Sequence, residues 1–189
     1  MLEITVPATE LYDNEKNEFI YVKKTTLRLE HSLVSLSRWE SKWKKPFLSS
    51  GIRPNTEDIT IDEAMDYIRC MTINQGVDPN VYKCIPNREA EIITEYIEDP
   101  HTATTVGGSN HEARPSRVVT SELLYAWMVM LNIPHDYDKW HLNRLITLIR
   151  VIQEENNPNK QKLTQSQRRA LNNARNAAAH TPKVPRKYR

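Results

Sequence analysis

The spacing of the apolar residues changes at His31, and this change constrains the fold more than any other feature of the sequence. Before His31, Leu2, Ile4 and Val6 alternate with polar residues, and residues 19–22 form a second run rich in strand-forming side chains. After His31, apolar residues recur three and four positions apart, as they do on one face of a helix. The sequence therefore predicts an α+β fold that is predominantly α-helical, with a small N-terminal β-hairpin or meander ahead of a helical domain.

Capping residues and prolines mark the ends of the first predicted helices. Residues 60–63 have the pattern of a capping box, in which the first side chain and the fourth bind each other's backbone N–H groups. Ser32 or Ser35 can cap the helix before it, which Pro46 ends. A further helix is expected to be capped by Asn87 and ended by Pro100.

Two helices predicted near the end of the body carry the largest number of apolar residues. The first is expected to begin after Ser116 or Thr120 and the second after Asp136 or Asp138. Because the connection at Ile133 and Pro134 is short, the two helices are expected to pack as an antiparallel pair. Trp127 and Trp140 flank this connection and are expected to pack against each other in the core.

The charge of the chain divides it into two parts. Residues 158–189 carry nine Lys and Arg and no acidic residue, whereas the remaining residues have a net charge of −7. We therefore predict a body over residues 1–156 and a basic, partly helical or disordered tail over residues 157–189. The chain has no apolar run of the length, about 18 residues, that a membrane helix needs, and it lacks a signal peptide, so a cytoplasmic location without membrane attachment is expected.

The sequence offers little that indicates catalysis. It has no nucleophile elbow, phosphate-binding loop or dinucleotide fingerprint, and its four glycines are few for such loops. His101 and His111, with Glu112 beside the latter, leave a metal site as a weak alternative within a loop predicted over residues 101–115. We expect a protein that is not an enzyme and that holds no metal and no cofactor.

Two groups of residues are candidates for binding a partner. Trp39 and Trp43 lie one helical turn apart, where they can form part of the core or, as large aromatic side chains, a binding hot spot. The basic tail can contact nucleic acid, bind an acidic protein surface, or simply remain solvated. The tail residues considered for partner binding are Arg168, Arg169, Arg175, Lys183, Arg186 and Lys187.

Three blocks of the sequence carry a resemblance to a known family. They are residues 25–48, which include TTLRLEHSL and SRWESKWKKPFL; residues 67–73, YIRCMTI; and residues 120–145, which include TSELLYAWM, NIP and WHLNRL. With these blocks, residues 1–152 resemble a family of small tailed-bacteriophage proteins that are treated as tail assembly chaperones or as unassigned tail-region proteins.

The resemblance implies a function without catalysis. A protein of this kind would coat the long, apolar, helical tape measure protein in the cytoplasm of the bacterial host. It would also help to bring in tail tube subunits, and a homo-oligomer is an open alternative. Two rival interpretations remain: a structural virion protein of the head–tail junction or baseplate that uses its basic arm between subunits, and a nucleic-acid-binding accessory protein, the less expected of the two.

Overall fold

The computed structural model describes residues 1–13, 17–48, 59–104 and 118–156, together with positions 166, 169 and 173. These residues form an α+β fold that is mostly helical, which confirms the predicted fold class. The strands are β1 (Leu2–Val6), β2 (Thr9–Asp13), β3 (Glu18–Val22) and β4 (Thr25–Leu29). The helices are α1 (Leu33–Trp43), α2 (Ile61–Met71), α3 (Asn80–Lys83), α4 (Asn87–Glu98), α5 (Ser121–Met130), a 3-10 helix (His135–Lys139) and α6 (Leu142–Glu155).

The chain divides by its internal contacts into a unit over residues 1–153 and a second unit over residues 154–189. The first unit contains strands β1 to β4, helices α1 to α5, the 3-10 helix and all of α6 except its last two residues. Among the residues that the structure describes, no helix is both long and apolar enough to cross a membrane.

The four strands form a ribbon of two antiparallel ladders. β1 pairs with β4 and β2 with β3, and the paired residue numbers add up to 31 in both ladders, as for Ile4 opposite Leu27 and Leu11 opposite Ile20. The register therefore continues past the interruption at Pro7, which has no backbone N–H to donate to a ladder. The predicted hairpin is present, and it includes β2, which the alternation of apolar residues did not indicate.

The core lies where one face of the β1–β4 ladder meets the helices. Alternate residues of these strands, such as Val6 and Leu27, are fully buried, as a two-residue period requires. Helix α1 packs against both α2 and α5. The ring of Phe47 stacks on Tyr67 of α2 at 3.9 Å between centroids and meets Trp39 of α1 edge-on at 5.1 Å.

The helix boundaries follow the local signals in most places. Ser32 caps α1, and the Thr60 capping box is complete, with each partner bonded to the backbone of the other. Helix α1 ends at Trp43, and the next residue, Lys44, caps it in a left-handed conformation with φ of 55°. Asn87, expected as a cap, is instead the first residue of α4 and follows Pro86.

The region around Trp140 differs from the prediction. Asp136 and Asp138 lie within the 3-10 helix and do not cap α6, which begins only at Leu142. Helix α5 makes its main helix contact with α1 and not with α6. Trp140 therefore lies outside the core, half-buried, and it stacks on Tyr137 at 3.9 Å between centroids.

Candidate functional site

An apolar groove runs between α2 and α4. It has a volume of about 370 Å³, within the range typical of binding clefts, and the stacked rings of Phe47 and Tyr67 contribute to its lining. Helix α2 contributes side chains that include Ala64 and Ile68, and α4 contributes residues that include Ala90. The remaining lining residues are Ile59, Ile61, Met65, Ile93, Thr94, Ile97 and Glu98. Only one of these side chains is charged, so the groove offers a partner an almost wholly apolar surface.

The groove arises because the apolar face of each helix is wider than the core can cover. In α2 the buried side is marked by Tyr67 and Met71, while Ile61 on the adjoining face is 78% exposed. In α4 the buried side carries Ile93 and Tyr96. Small side chains on the adjoining faces, such as Ala64 and Ala90, leave the space between the helices unfilled.

Trp39, which was a candidate for partner binding, is part of the core. Its side chain is fully buried, and its indole N–H donates a hydrogen bond to the backbone carbonyl of Glu63 at 2.8 Å. Of the two alternatives that the sequence leaves open for Trp39, the structure has the core position, because its helical position turns it towards α2 and not towards solvent. The same hydrogen bond holds α1 against α2, on which one side of the groove is built.

Trp43 remains partly accessible. Its indole N–H donates to Asp66 of α2 at 2.9 Å, and the ammonium group of Lys42 binds the same carboxylate at 2.6 Å. The Lys42 ammonium also lies 5.2 Å from the centroid of the Trp43 ring. These contacts fix the ring against α2, and its role in partner binding stays a prediction.

Polar side chains from separate segments form a histidine cluster at the start of α1, in which His31 and His141 are buried and His101, one of the two candidate metal ligands, is exposed. The Nδ1 atom of His31 lies 2.6 Å from the hydroxyl of Tyr67, and the ring of His31 meets His141 edge-on. His141 stacks on His101 at 4.0 Å between centroids, and its Nε2 atom lies 3.0 Å from the carbonyl of Tyr96. Residues distant in sequence meet here, so single-sequence spacing could not have revealed the cluster.

Burial favours the neutral forms of His31 and His141. Loss of solvation, together with the nearby His141 and His101, lowers the pKa of His31 to about 3. Burial likewise lowers the pKa of His141. Within the described part of the chain, no group of His, Cys, Asp and Glu residues is arranged to hold a metal ion. His111, the partner considered for His101, lies outside the described residues.

Three aromatic side chains are exposed on one face of the ribbon. Tyr12 lies opposite Phe19 in the β2–β3 ladder, with ring centroids 5.0 Å apart, and Tyr21 follows on the same face. Phe19 and Tyr21 are 71% and 62% exposed. Such a face can contact a neighbouring protein, although a two-stranded ribbon has no concave site of its own.

The structure describes little of the basic tail. Arg169 is helical and exposed. The other candidate tail residues, Arg168, Arg175, Lys183, Arg186 and Lys187, lie outside the described residues, as does most of the loop predicted over residues 101–115.

Comparison of the chain with protein-family models, with curated proteins and with solved structures finds no match. The groove, the histidine cluster and the ribbon are therefore interpreted from their own geometry. In the histidine cluster, His31 and His141 are buried, and the ribbon face belongs to a two-stranded ladder of exposed side chains. Among these three features, the groove combines an open concave shape with an apolar lining of the size that a partner's side chains need.

Proposed function

We propose that this protein binds an apolar helical segment of another protein in the α2–α4 groove and catalyses no reaction. The main support for this proposal is the apolar lining of the open groove. A groove between two helices is the usual receptor for the apolar face of a third helix, whose side chains enter at spacings of three and four residues. Each aliphatic side chain that becomes fully buried there contributes roughly 1.5–3 kcal/mol.

The partner that we propose is the tape measure protein of a tailed phage, and the location is the cytoplasm of the bacterial host. The sequence blocks that resemble tail assembly chaperones support this choice, because their proposed partner is long, helical and apolar. Exposed apolar helices aggregate unless they are covered. A protein that covers them reversibly would keep the partner soluble until tail tube subunits replace it.

Co-expression with the tape measure protein tests the proposal. We expect the partner to be soluble in the presence of the wild-type protein and to aggregate without it. The variant Ala64→Glu/Thr94→Glu places charge in the groove at two exposed helical positions, and it should fail to keep the partner soluble. Val129→Glu is the control on another helix, because Val129 is 77% exposed on α5 and does not line the groove.

The exposed ribbon favours one other candidate function, that of a structural virion protein. The aromatic face of Tyr12, Phe19 and Tyr21 would then pack between neighbouring subunits. This candidate predicts that washed virions contain many copies of the protein, whereas the chaperone proposal predicts that they contain none. Immunoblotting of purified particles distinguishes the two.

A further inference from the structure

Acidic side chains form a row along the outer edge of the groove on α4. Glu91, Glu95 and Glu98 are exposed, and each follows a residue that lines the groove, namely Ala90, Thr94 and Ile97. One step along a helix turns the side chain by about 100°. Around the circumference of α4, the buried face with Ile93 and Tyr96 comes first, the groove-lining face second and the acidic row third. The acidic row therefore borders the groove on its solvent side.

The charge of this border is not neutralised within the described part of the chain. Glu91, Glu95 and Glu98 form no ion pair with any residue that the structure describes. Arg88 is the one basic side chain of α4, so the helix is acidic overall, and its last turn holds no basic residue. On α2, the exposed charged residues that border the groove are Asp62 and Arg69, and their opposite charges sum to zero.

We propose that the groove selects an amphipathic helix that carries Lys or Arg along the flank facing α4. This inference rests on the function proposed above and specifies the chemistry of the partner. The apolar stripe of the helix enters the groove, while its basic flank lies against Glu91, Glu95 and Glu98. The charge complementarity distinguishes such a helix from an equally apolar one with acidic flanks, which the same row repels.

Synthetic helical peptides of about 18 residues, or five turns, test this inference with the full-length protein. The three peptides share one stripe of Leu and Ala and differ only in the flank, which carries Lys, Gln or Glu. We expect the Lys peptide to bind about tenfold more tightly than the Gln peptide, as a few exposed ion pairs allow, and the Glu peptide to bind least. The preference should shrink as sodium chloride is raised, because salt screens exposed charges.

Two triple variants identify the source of the preference. Glu91→Gln/Glu95→Gln/Glu98→Gln should bind the Lys and Gln peptides equally. The control Glu10→Gln/Glu18→Gln/Asp136→Asn removes the same charge at exposed positions away from the groove and should keep the wild-type preference. The inference is overturned if the wild-type protein shows no preference, or if the preference survives in the α4 variant.

The same experiment separates this inference from the proposed function. If the Lys and Gln peptides bind the wild-type protein equally and Ala64→Glu/Thr94→Glu abolishes both, the groove binds helices but does not select their charge, and only the inference fails. If no peptide binds, the proposed function fails as well. If the protein alone is a dimer that Ala64→Glu/Thr94→Glu dissociates, the groove holds a second copy of the chain, which also overturns the inference.

Discussion

The carboxylate of Glu40 accepts a hydrogen bond from the backbone N–H of Ser121 at 2.7 Å, although the two residues are 81 positions apart. Its other oxygen accepts the backbone N–H of Phe47 at 3.0 Å. One buried side chain of α1 thus fixes both the first residue of α5 and the segment that leaves α1. Thr120, at the position of the cap, makes no capping bond with its side chain, so Glu40 takes the place of a local cap.

Glu40→Gln is expected to destabilise the protein by about 1–3 kcal/mol. The amide retains one acceptor oxygen, and the second backbone N–H then meets an NH₂ group, which leaves a buried donor unsatisfied. Glu40→Ala removes both acceptors and should cost more than Glu40→Gln. Denaturant unfolding monitored by circular dichroism measures both values, and equal stability of all three proteins would show that Glu40 does not hold α5.

Trp39 and Trp140 should respond differently to truncation. Trp39→Ala is expected to cost about 3–5 kcal/mol, because it removes a fully buried aromatic ring and the bond to Glu63. Trp140→Ala should lower the free energy of unfolding by only about 1 kcal/mol, because the ring is only half-buried. The contacts that are lost are the stacking on Tyr137 and the contact with the guanidinium of Arg144 at 4.2 Å. Chemical denaturation compares the two, and a larger loss for Trp140→Ala would contradict the assigned packing.

The buried His31 predicts a loss of stability in mild acid. Its pKa is lowered to about 3 in the folded protein, while an unfolded histidine titrates near 6.5. The contribution of His31 to the free energy of unfolding is therefore fully present above pH 6.5 and is lost as the pH falls. The reason is that His31 becomes protonated in the unfolded chain while it stays neutral in the folded protein. Between pH 6.5 and 5, the free energy of unfolding should fall by up to about 1.4 kcal/mol per pH unit from this one group.

His31→Asn tests whether His31 is the source of this pH dependence. Asparagine keeps a polar group towards Tyr67 but does not titrate. The variant is expected to be less stable than the wild type at pH 7 and to lose stability less steeply between pH 6.5 and 5. An unchanged slope in urea unfolding across this range would assign the effect to other groups.

The sequence predicts the elements of this fold better than their arrangement. The alternation of Leu2, Ile4 and Val6 and the capping box at Thr60 are local signals, and the structure contains both elements. Residues 9–13 have the apolar side chains Leu11 and Tyr12 next to each other, so β2 has no clean alternation and depends on its pairing with β3. Such pairing is set by the continuing register of the ribbon, which spacing within one segment does not reveal.

The candidate site was the least predictable part of the molecule. The helical spacing of Trp39 and Trp43 identifies the face of α1 that turns inward. How much of each ring stays exposed depends on α2, which packs against that face. The groove depends on Phe47, Ile68 and Ile97, which lie on three separate segments. Likewise, its place beside the connection at Ile133 and Pro134 predicts a core position for Trp140, but α6 begins two residues later and its buried face begins with Leu142.

The most direct test of the central claim is the amount of soluble tape measure protein recovered from cells that co-express it with this chain. We expect the wild type and Val129→Glu to keep the partner in the soluble fraction and to co-purify with it, while folded Ala64→Glu/Thr94→Glu does neither. Circular dichroism of each purified variant establishes that it is folded. A partner that is soluble without this protein, or one that the groove variant keeps soluble as well as the wild type does, would contradict the claim.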